Sequence, residues 1–174
     1  MKRWEIRLSG TGGQGLITGG IILGEAALIE GKEVVQSQSY GPEARGGASK
    51  AEVIIDDKKI KYPKVIIPEV LLAMSQEAAE KYGTEIRENG TIIIDSSMVE
   101  GFKNEKARVI ELPITRLAIE EIGKTFVANI IAIAALAGIT GAVRFESLKQ
   151  AVLNRVPPGT EEINLKALEI GFKR

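Results

Sequence analysis

Residues 10–15 read Gly-Thr-Gly-Gly-Gln-Gly, and they stand between two stretches of different hydrophobic period. Before them, Trp4, Ile6 and Leu8 alternate with Glu5 and Arg7, which predicts a short strand over Trp4 to Ser9 that breaks at Gly10. After them, Leu16 to Glu30 carries apolar residues at helical spacing up to a stop at Gly31. An opening of strand, glycine loop and helix commits the chain to an α/β architecture, because the loop must turn a buried strand directly into a packed helix.

The same reading continues along the chain. Val34 to Ser39 predicts a second strand and Ala48 to Asp56 a third, joined by Tyr40-Gly41-Pro42-Glu43-Ala44-Arg45-Gly46-Gly47, which is too rich in Gly and Pro for a regular element. A link this short cannot hold a helical crossover, so part of the sheet is expected to be antiparallel. A proline-bounded apolar run follows at Pro63 to Pro68. Val70 to Met74 predicts a strand leading into a helix from Ser75 to Tyr82, capped by Ser75 and ended by Gly83. Thr91 to Ile94 has the β-branched composition of a buried central strand and runs into Asp95-Ser96-Ser97; Arg108 to Leu112 predicts one more strand. Beyond Pro113 the pattern turns helical over Ile114 to Ile122, Thr125 to Ala137, Phe145 to Asn154 and Asn164 to Phe172, with breaks at Gly123 and at Gly138 to Gly141. The expected fold is a three-layer Rossmann-like α/β domain with a mixed, mostly parallel sheet and C-terminal helices, with residues 1–174 forming a single domain.

Composition narrows the chemistry. The chain has no cysteine and no histidine. That removes thiolate-ligated iron–sulfur clusters, cysteine nucleophiles, imidazole bases and nearly all zinc geometries. Lysine plus arginine equals aspartate plus glutamate at 23 each, so nothing in the total charge suggests a nucleic-acid partner. Met1 to Ile6 leads into the glycine loop without a long apolar segment, and Phe126 to Ile139 falls short of the roughly 20 residues that cross a bilayer. The expectation is a cytoplasmic protein in which that run is a buried helix.

Gly10 to Gly15 satisfies G-x-G-x-x-G literally. Glycines there allow close backbone approach, and the free amides of the following helix start can hold a phosphate, a carboxylate or an acidic group of a partner. Tight structural packing is the alternative. An NAD site would want an acid near the end of the second strand, where this sequence has Val34-Val35-Gln36-Ser37-Gln38-Ser39, with Glu33 ahead of it. A Walker A loop is disfavoured because Gly15-Leu16-Ile17 replaces Gly-Lys-Ser/Thr. In the next loop, Arg45 has the planar fork to grip a carboxylate or phosphate and Glu43 can orient it, or the two form a surface ion pair. Gln36, Gln38 and Ser39 either line a polar crevice or face solvent, Asp95 to Ser97 either serve a site or cap a turn, and Asn129 is expected to be hydrogen-bonded inside its helix packing.

Taken together, Gly10 to Gly15, Val35-Gln36-Ser37-Gln38-Ser39-Tyr40-Gly41-Pro42-Glu43-Ala44-Arg45-Gly46-Gly47, Leu71-Leu72-Ala73-Met74-Ser75-Gln76, Val127-Ala128-Asn129 and Asn164-Leu165-Lys166-Ala167-Leu168 resemble the gamma subunit of thiamine-dependent 2-oxoacid:ferredoxin or acceptor oxidoreductases. The likeness runs from Trp4 to the end and is greatest to the 2-oxoglutarate branch. It implies a complex that decarboxylates a 2-oxoacid, passes the acyl group to coenzyme A and sends two electrons through iron–sulfur chemistry to ferredoxin or a similar acceptor. It also implies that thiamine diphosphate and the clusters sit in partner subunits, alpha, beta and a ferredoxin-like subunit or ferredoxin, with no cofactor held by this chain alone. A homodimer is one form open to the isolated chain. On this resemblance the residues expected to contact coenzyme A or substrate are Gly10, Gly12, Gly13, Gln14, Gly15, Tyr40, Glu43 and Arg45, with none catalytic. The alternatives are a non-catalytic assembly subunit of a pyruvate or branched-chain 2-oxoacid oxidoreductase and, in a third class, a free-standing nucleotide enzyme.

Overall fold

The chain alternates Val70, Leu71, Leu72 and Ala73 between two hydrophobic clusters, and that two-sided burial dictates layers on both faces of the strand it forms. The computed structural model describes residues 2–39 and 47–174. Its six strands are β1 (Trp4–Thr11), β2 (Glu33–Gln38), β3 (Ala48–Asp56), β4 (Val70–Ala73), β5 (Thr91–Asp95) and β6 (Arg108–Leu112), in the sheet order β2-β3-β1-β4-β5-β6. β1 to β4, β4 to β5 and β5 to β6 pair parallel, whereas β3 pairs antiparallel with both β1 and β2. The sheet is mixed and mostly parallel, with the antiparallel part where the short β2–β3 link requires it.

One face of the sheet packs against α1 (Leu16–Ile29), α4 (Ala128–Thr140), α5 (Phe145–Arg155) and α6 (Glu161–Phe172) around a large core that takes Ile6, Leu8, Val70, Leu72 and Ile93. The other face is covered by α2 (Gln76–Tyr82), whose Ala78, Ala79 and Tyr82 meet Leu71, Ala73, Ile92 and Ile94. The Phe126 to Ile139 run is largely a buried helix: Ile130 through Ala137 are all buried. None of the helices among the described residues is long and apolar enough to cross a membrane.

Several boundaries differ from the sequence reading. β1 does not break at Gly10, because Gly10 and Thr11 continue the ladder opposite Ser49 and Ala48. The segment 114–122 is not one helix: α3 (Ile114–Leu117) passes into a single π-turn over Ala118–Ile122, where both Gly123 and Lys124 donate to the Ala118 carbonyl. Thr125–Val127 is a 3-10 turn, and α4 begins only at Ala128. α4 then continues through Gly138 to Thr140. A side chain at 138 would collide with the Phe172 backbone, so the glycine marks a close crossing of α4 and α6 rather than a stop. α6 starts at Glu161, three residues before the expected Asn164. Elsewhere the expected elements stand within a residue or two, including the Ser75 cap of α2, whose Oγ accepts from the Ala78 N–H at 3.2 Å.

Candidate functional site

The parallel strands β1, β4 and β5 end at one edge of the sheet, where the glycine loop, Met74 and Asp95 are brought together with the start of α4. The loop is held from its inner side by two amides. Gln14 Oε1 accepts from the Thr11 N–H at 2.7 Å and Gln14 Nε2 donates to the Met74 carbonyl at 3.1 Å, so one side chain ties the loop to β4. Asn129 Nδ2 donates to the Gly15 carbonyl at 3.1 Å, while its Oδ1 accepts from the Ile130 N–H at 2.9 Å. Both amides need room. A Cβ on Gly10 would collide with Gln14 Oε1 and lie 2.8 Å from Leu16 Cδ1; one on Gly15, already at φ 75°, would lie 2.6 Å from Asn129 Nδ2.

On its outer side the loop is open. α1 has no acidic residue in its first turn and no side-chain cap. Among the described residues, nothing accepts from the N–H groups of Leu16, Ile17 and Thr18. Leu16, Ile17 and Thr18 line a hollow of about 230 Å³ whose wall also includes Gly13, Gly15, Ser39, Ser49 and Lys50. Lys50 also reaches Glu52 at 3.4 Å. A second hollow of about 350 Å³ lies on the other flank, between Gly13, Gln14, Met74, Met98, Thr115 and Phe126. Met98 and Phe126 are 48% and 56% exposed at its mouth, large apolar surfaces for that position. Free amides and a lysine on one flank, with an apolar rim on the other, can take an anion and a partner surface side by side.

Gly12, Gly13, Gln14 and Gly15 of the expected contact residues therefore form one loop and Gly10 lies at the end of β1 that enters it, with Gly10 and Gln14 serving its inner packing. Tyr40, Glu43 and Arg45, and with them the expected Glu43–Arg45 ion pair, lie outside the described residues. Ser39, which immediately precedes them, lines the first hollow and exchanges hydrogen bonds with the Lys50 backbone. Gln36 and Gln38 bond to each other through Nε2 and Oε1 at 2.9 Å, half-buried on the α1 side rather than open to solvent. Asp95 is completely buried. Its Oδ1 accepts from the Ser97 N–H at 3.0 Å, and its Oδ2 from the Thr115 N–H at 3.1 Å and the Thr115 hydroxyl at 2.5 Å. It is a structural group that fastens β5 to α3. Ser97 is likewise occupied, its Oγ accepting from the Arg116 N–H at 3.1 Å.

Thr115, Met98, Phe126 and Lys50 were not singled out by the sequence; each reaches this edge from an element whose placement depends on long-range packing. The sheet order also bears on the dinucleotide pattern. In such a site the second strand neighbours the first, but here β3 separates β2 from β1, which moves the end of β2 about 10 Å from the loop's own strand. The described residues include no group of three His, Cys, Asp or Glu side chains placed to hold a metal ion.

The sequence matches the profile of the pyruvate ferredoxin/flavodoxin oxidoreductase family over residues 5–174. It is 51% identical to the 2-oxoglutarate synthase subunit KorC of Methanocaldococcus jannaschii, over 98% of this chain and 93% of that one. The KorC subunit of Methanothermobacter marburgensis is 48% identical, over 97% and 95%. Among solved structures, the gamma subunit of a keto/oxoacid ferredoxin oxidoreductase from Geobacter sulfurreducens superposes with a TM-score of 0.92 at 44% identity, covering 99% of this chain and 96% of that one. An edge loop, a core and a C-terminal helical layer are thus shared along their full length, and the chain belongs to the pyruvate ferredoxin/flavodoxin oxidoreductase family.

Proposed function

We propose that this chain is the gamma-type subunit, a single domain over residues 1–174, of a thiamine diphosphate-dependent complex that oxidatively decarboxylates 2-oxoglutarate to its acyl-CoA and passes the electrons to ferredoxin or a similar acceptor. The observation that carries the reading is the alignment with a 2-oxoglutarate synthase subunit at 51% identity, over 98% of this chain and 93% of that one. Alpha and beta subunits hold thiamine diphosphate, and a ferredoxin-like subunit or ferredoxin takes the electrons, in the cytoplasm. This chain has no cysteine, so it has no thiolate to offer an iron–sulfur cluster. When bound in the partner subunits, thiamine supplies the carbanion chemistry.

What this chain contributes is position. The outward amides of the glycine loop, with Gly12 and Gly13 at its crest, and Arg45 in the segment that follows Ser39 would meet a phosphate or carboxylate of coenzyme A or substrate at the entrance; Tyr40 and Glu43 would shape the same rim. Such contacts orient the reactants and exclude water without joining the covalent steps. The test is coenzyme A-dependent acceptor reduction with 2-oxoglutarate by the complex reconstituted with and without this chain. Turnover only with the chain is expected. Turnover with pyruvate or a branched-chain acid but not 2-oxoglutarate, from an assembled and cofactor-loaded complex, would overturn the substrate assignment. Alanine at Arg45 is expected to raise the coenzyme A KM about tenfold while assembly is unchanged, the loss of one charge-assisted contact.

The exposed Met98 and Phe126 favour a second reading, in which this edge is only an assembly surface and the isolated chain pairs with itself when partners are missing. That reading expects the Arg45 variant to lower the yield of complex, with normal kinetics in what does assemble.

A further inference from the structure

We propose that the opposite edge of the sheet is a second docking surface, shaped to take a carboxylate-rich patch on a partner subunit. It is built by residues 57–69, which leave β3, run beneath the start of β1 and enter β4. The proposal rests on the reading of this chain as one subunit of a complex.

Residues 58–64 place four lysines, Lys58, Lys59, Lys61 and Lys64, in seven positions with no acid among them. All four are exposed, as is Lys106 from the neighbouring turn before β6. The cations nearest to them are matched: Lys2 pairs with Glu69 at 2.9 Å, Arg3 with Glu5 at 3.0 Å and Asp56 at 3.5 Å, and Arg87 with Glu5 at 3.0 Å. Among the described residues the four strap lysines and Lys106 make no ion pair of their own. Glu5, Asp56 and Glu69 are thereby taken by other cations, and the strap, with four lysines against Asp57 and Glu69, keeps an excess of positive charge.

Apolar surface lies next to these lysines in the same strap, and Lys64 and Lys106 line the hollow it forms. Val65 and Pro68 are buried and anchor the strap, so the side chains between them, Ile66 and Ile67, are pushed outward to 65% and 48% exposure; Tyr62 is 53% exposed beside them. These three, with Lys64, Arg87, Lys106, Glu5 and Glu88, line a hollow of about 570 Å³. Apolar and aromatic surface bordered by charged side chains is the anatomy of a protein interface. A second copy of this chain would bring the same excess of lysine to the interface. Polyphosphate has no apolar group to fill the hollow, and a flat membrane surface does not enter it. A folded partner that brings carboxylates to the lysines and an apolar group to the hollow meets none of these obstacles.

The test is the association of the purified chain with its alpha and beta subunits and electron-accepting subunit, followed kinetically at low and high salt, roughly 0.05 M and 0.5 M, across which screening of surface charge becomes nearly complete. The triple reversal K58E/K61E/K64E is expected to slow association about tenfold or more at low salt and to remove most of its salt dependence, since rim charges act mainly on encounter. The pair I66A/I67A is expected to speed dissociation with association unchanged. All five positions are solvent-exposed, and an unaltered melting temperature confirms that the variants fold. If both variants associate and dissociate as the parent does, while the parent complex is active, the docking surface is wrong and the functional reading stands. If the parent chain fails to join its partners at all, the functional reading fails and takes this proposal with it. Lysine-dependent binding to phosphatidylcholine–phosphatidylserine vesicles, with subunit association unaffected, would reassign the surface to a membrane and overturn the proposal.

Discussion

Two polar strand ends lie on the same edge of the sheet with β4 between them, about 10 Å apart, and they are polar for opposite reasons. At the end of β5, Asp95 is buried and every hydrogen bond it receives comes from this chain. At the end of β1, the side chains Gln14 and Asn129 brace the glycine loop from within, and the backbone amides on its outer side are left without acceptors among the described residues. A sequence shows both as polar residues after an apolar strand. The difference is whether the polar groups find partners inside, and only the loop has capacity left for a ligand or another subunit.

The largest effect should come from the satisfied end. Asp95→Ala leaves the N–H groups of Ser97 and Thr115 and the Thr115 hydroxyl without their acceptor in a site closed to water, and should destabilise the chain by about 3–4 kcal/mol. Asp95→Asn keeps the shape but turns a donor toward donors, and should cost about 2 kcal/mol. Urea unfolding should show a lower midpoint with an unchanged slope. In complex that still assembles, coenzyme A affinity should match the parent; a selective rise in the coenzyme A KM would put Asp95 in the site and erase the contrast.

The braced end should respond less and in a coupled way. Gly10→Ala displaces Gln14 Oε1 and crowds Leu16, at a cost of about 1–2 kcal/mol. Gln14→Ala loses two hydrogen bonds, about 1 kcal/mol each. In the double variant the two should overlap by about 1 kcal/mol, because the side chain that the new methyl strikes is already gone. Strict additivity would mean that Gln14 does not set the loop.

The sequence reading reached this loop and most elements because their signals are local. Period, glycine and β-branching placed β3 and β6 to the residue, and the length of the β2–β3 link foretold the antiparallel pair. What escaped depends on distant partners. The ladder to Ser49 and Ala48 carries β1 through Gly10 and Thr11, and contact with Phe172 lets α4 run through Gly138. Gln14 reads as a loop residue until Met74, 60 positions on, supplies its second bond. The order β2-β3-β1, which separates this edge from a dinucleotide site, has no local signature at all.

Helix starts extend the contrast to a third position and give the smallest effect. Where α1 begins with open amides, α5 begins against Glu30, whose Oε1 accepts from the Arg144 N–H at 2.6 Å and whose Oε2 faces Lys32 at 3.1 Å. Burial pushes the Glu30 carboxyl up, but bonds from the Arg144 backbone and from the Lys32 and Ser147 side chains outweigh it and hold the group below its ordinary value. A carboxylate whose folded pKa is depressed stabilises the fold above its unfolded pKa, and that contribution disappears as pH falls through the folded value. Glu30→Gln should therefore cost about 1 kcal/mol at neutral pH, the worth of an anion at a helix start with its hydrogen bonds. The gap to the parent should close as pH falls below about 4, where the unfolded carboxyl is itself protonated. Glu25 and Asp56 are held low as well, so the parent's own acid sensitivity is a sum, and the difference between the two proteins isolates Glu30. A gap that stayed constant through that range would mean the carboxylate acts by shape alone, and that the filled start of α5 and the open start of α1 differ in packing rather than in charge.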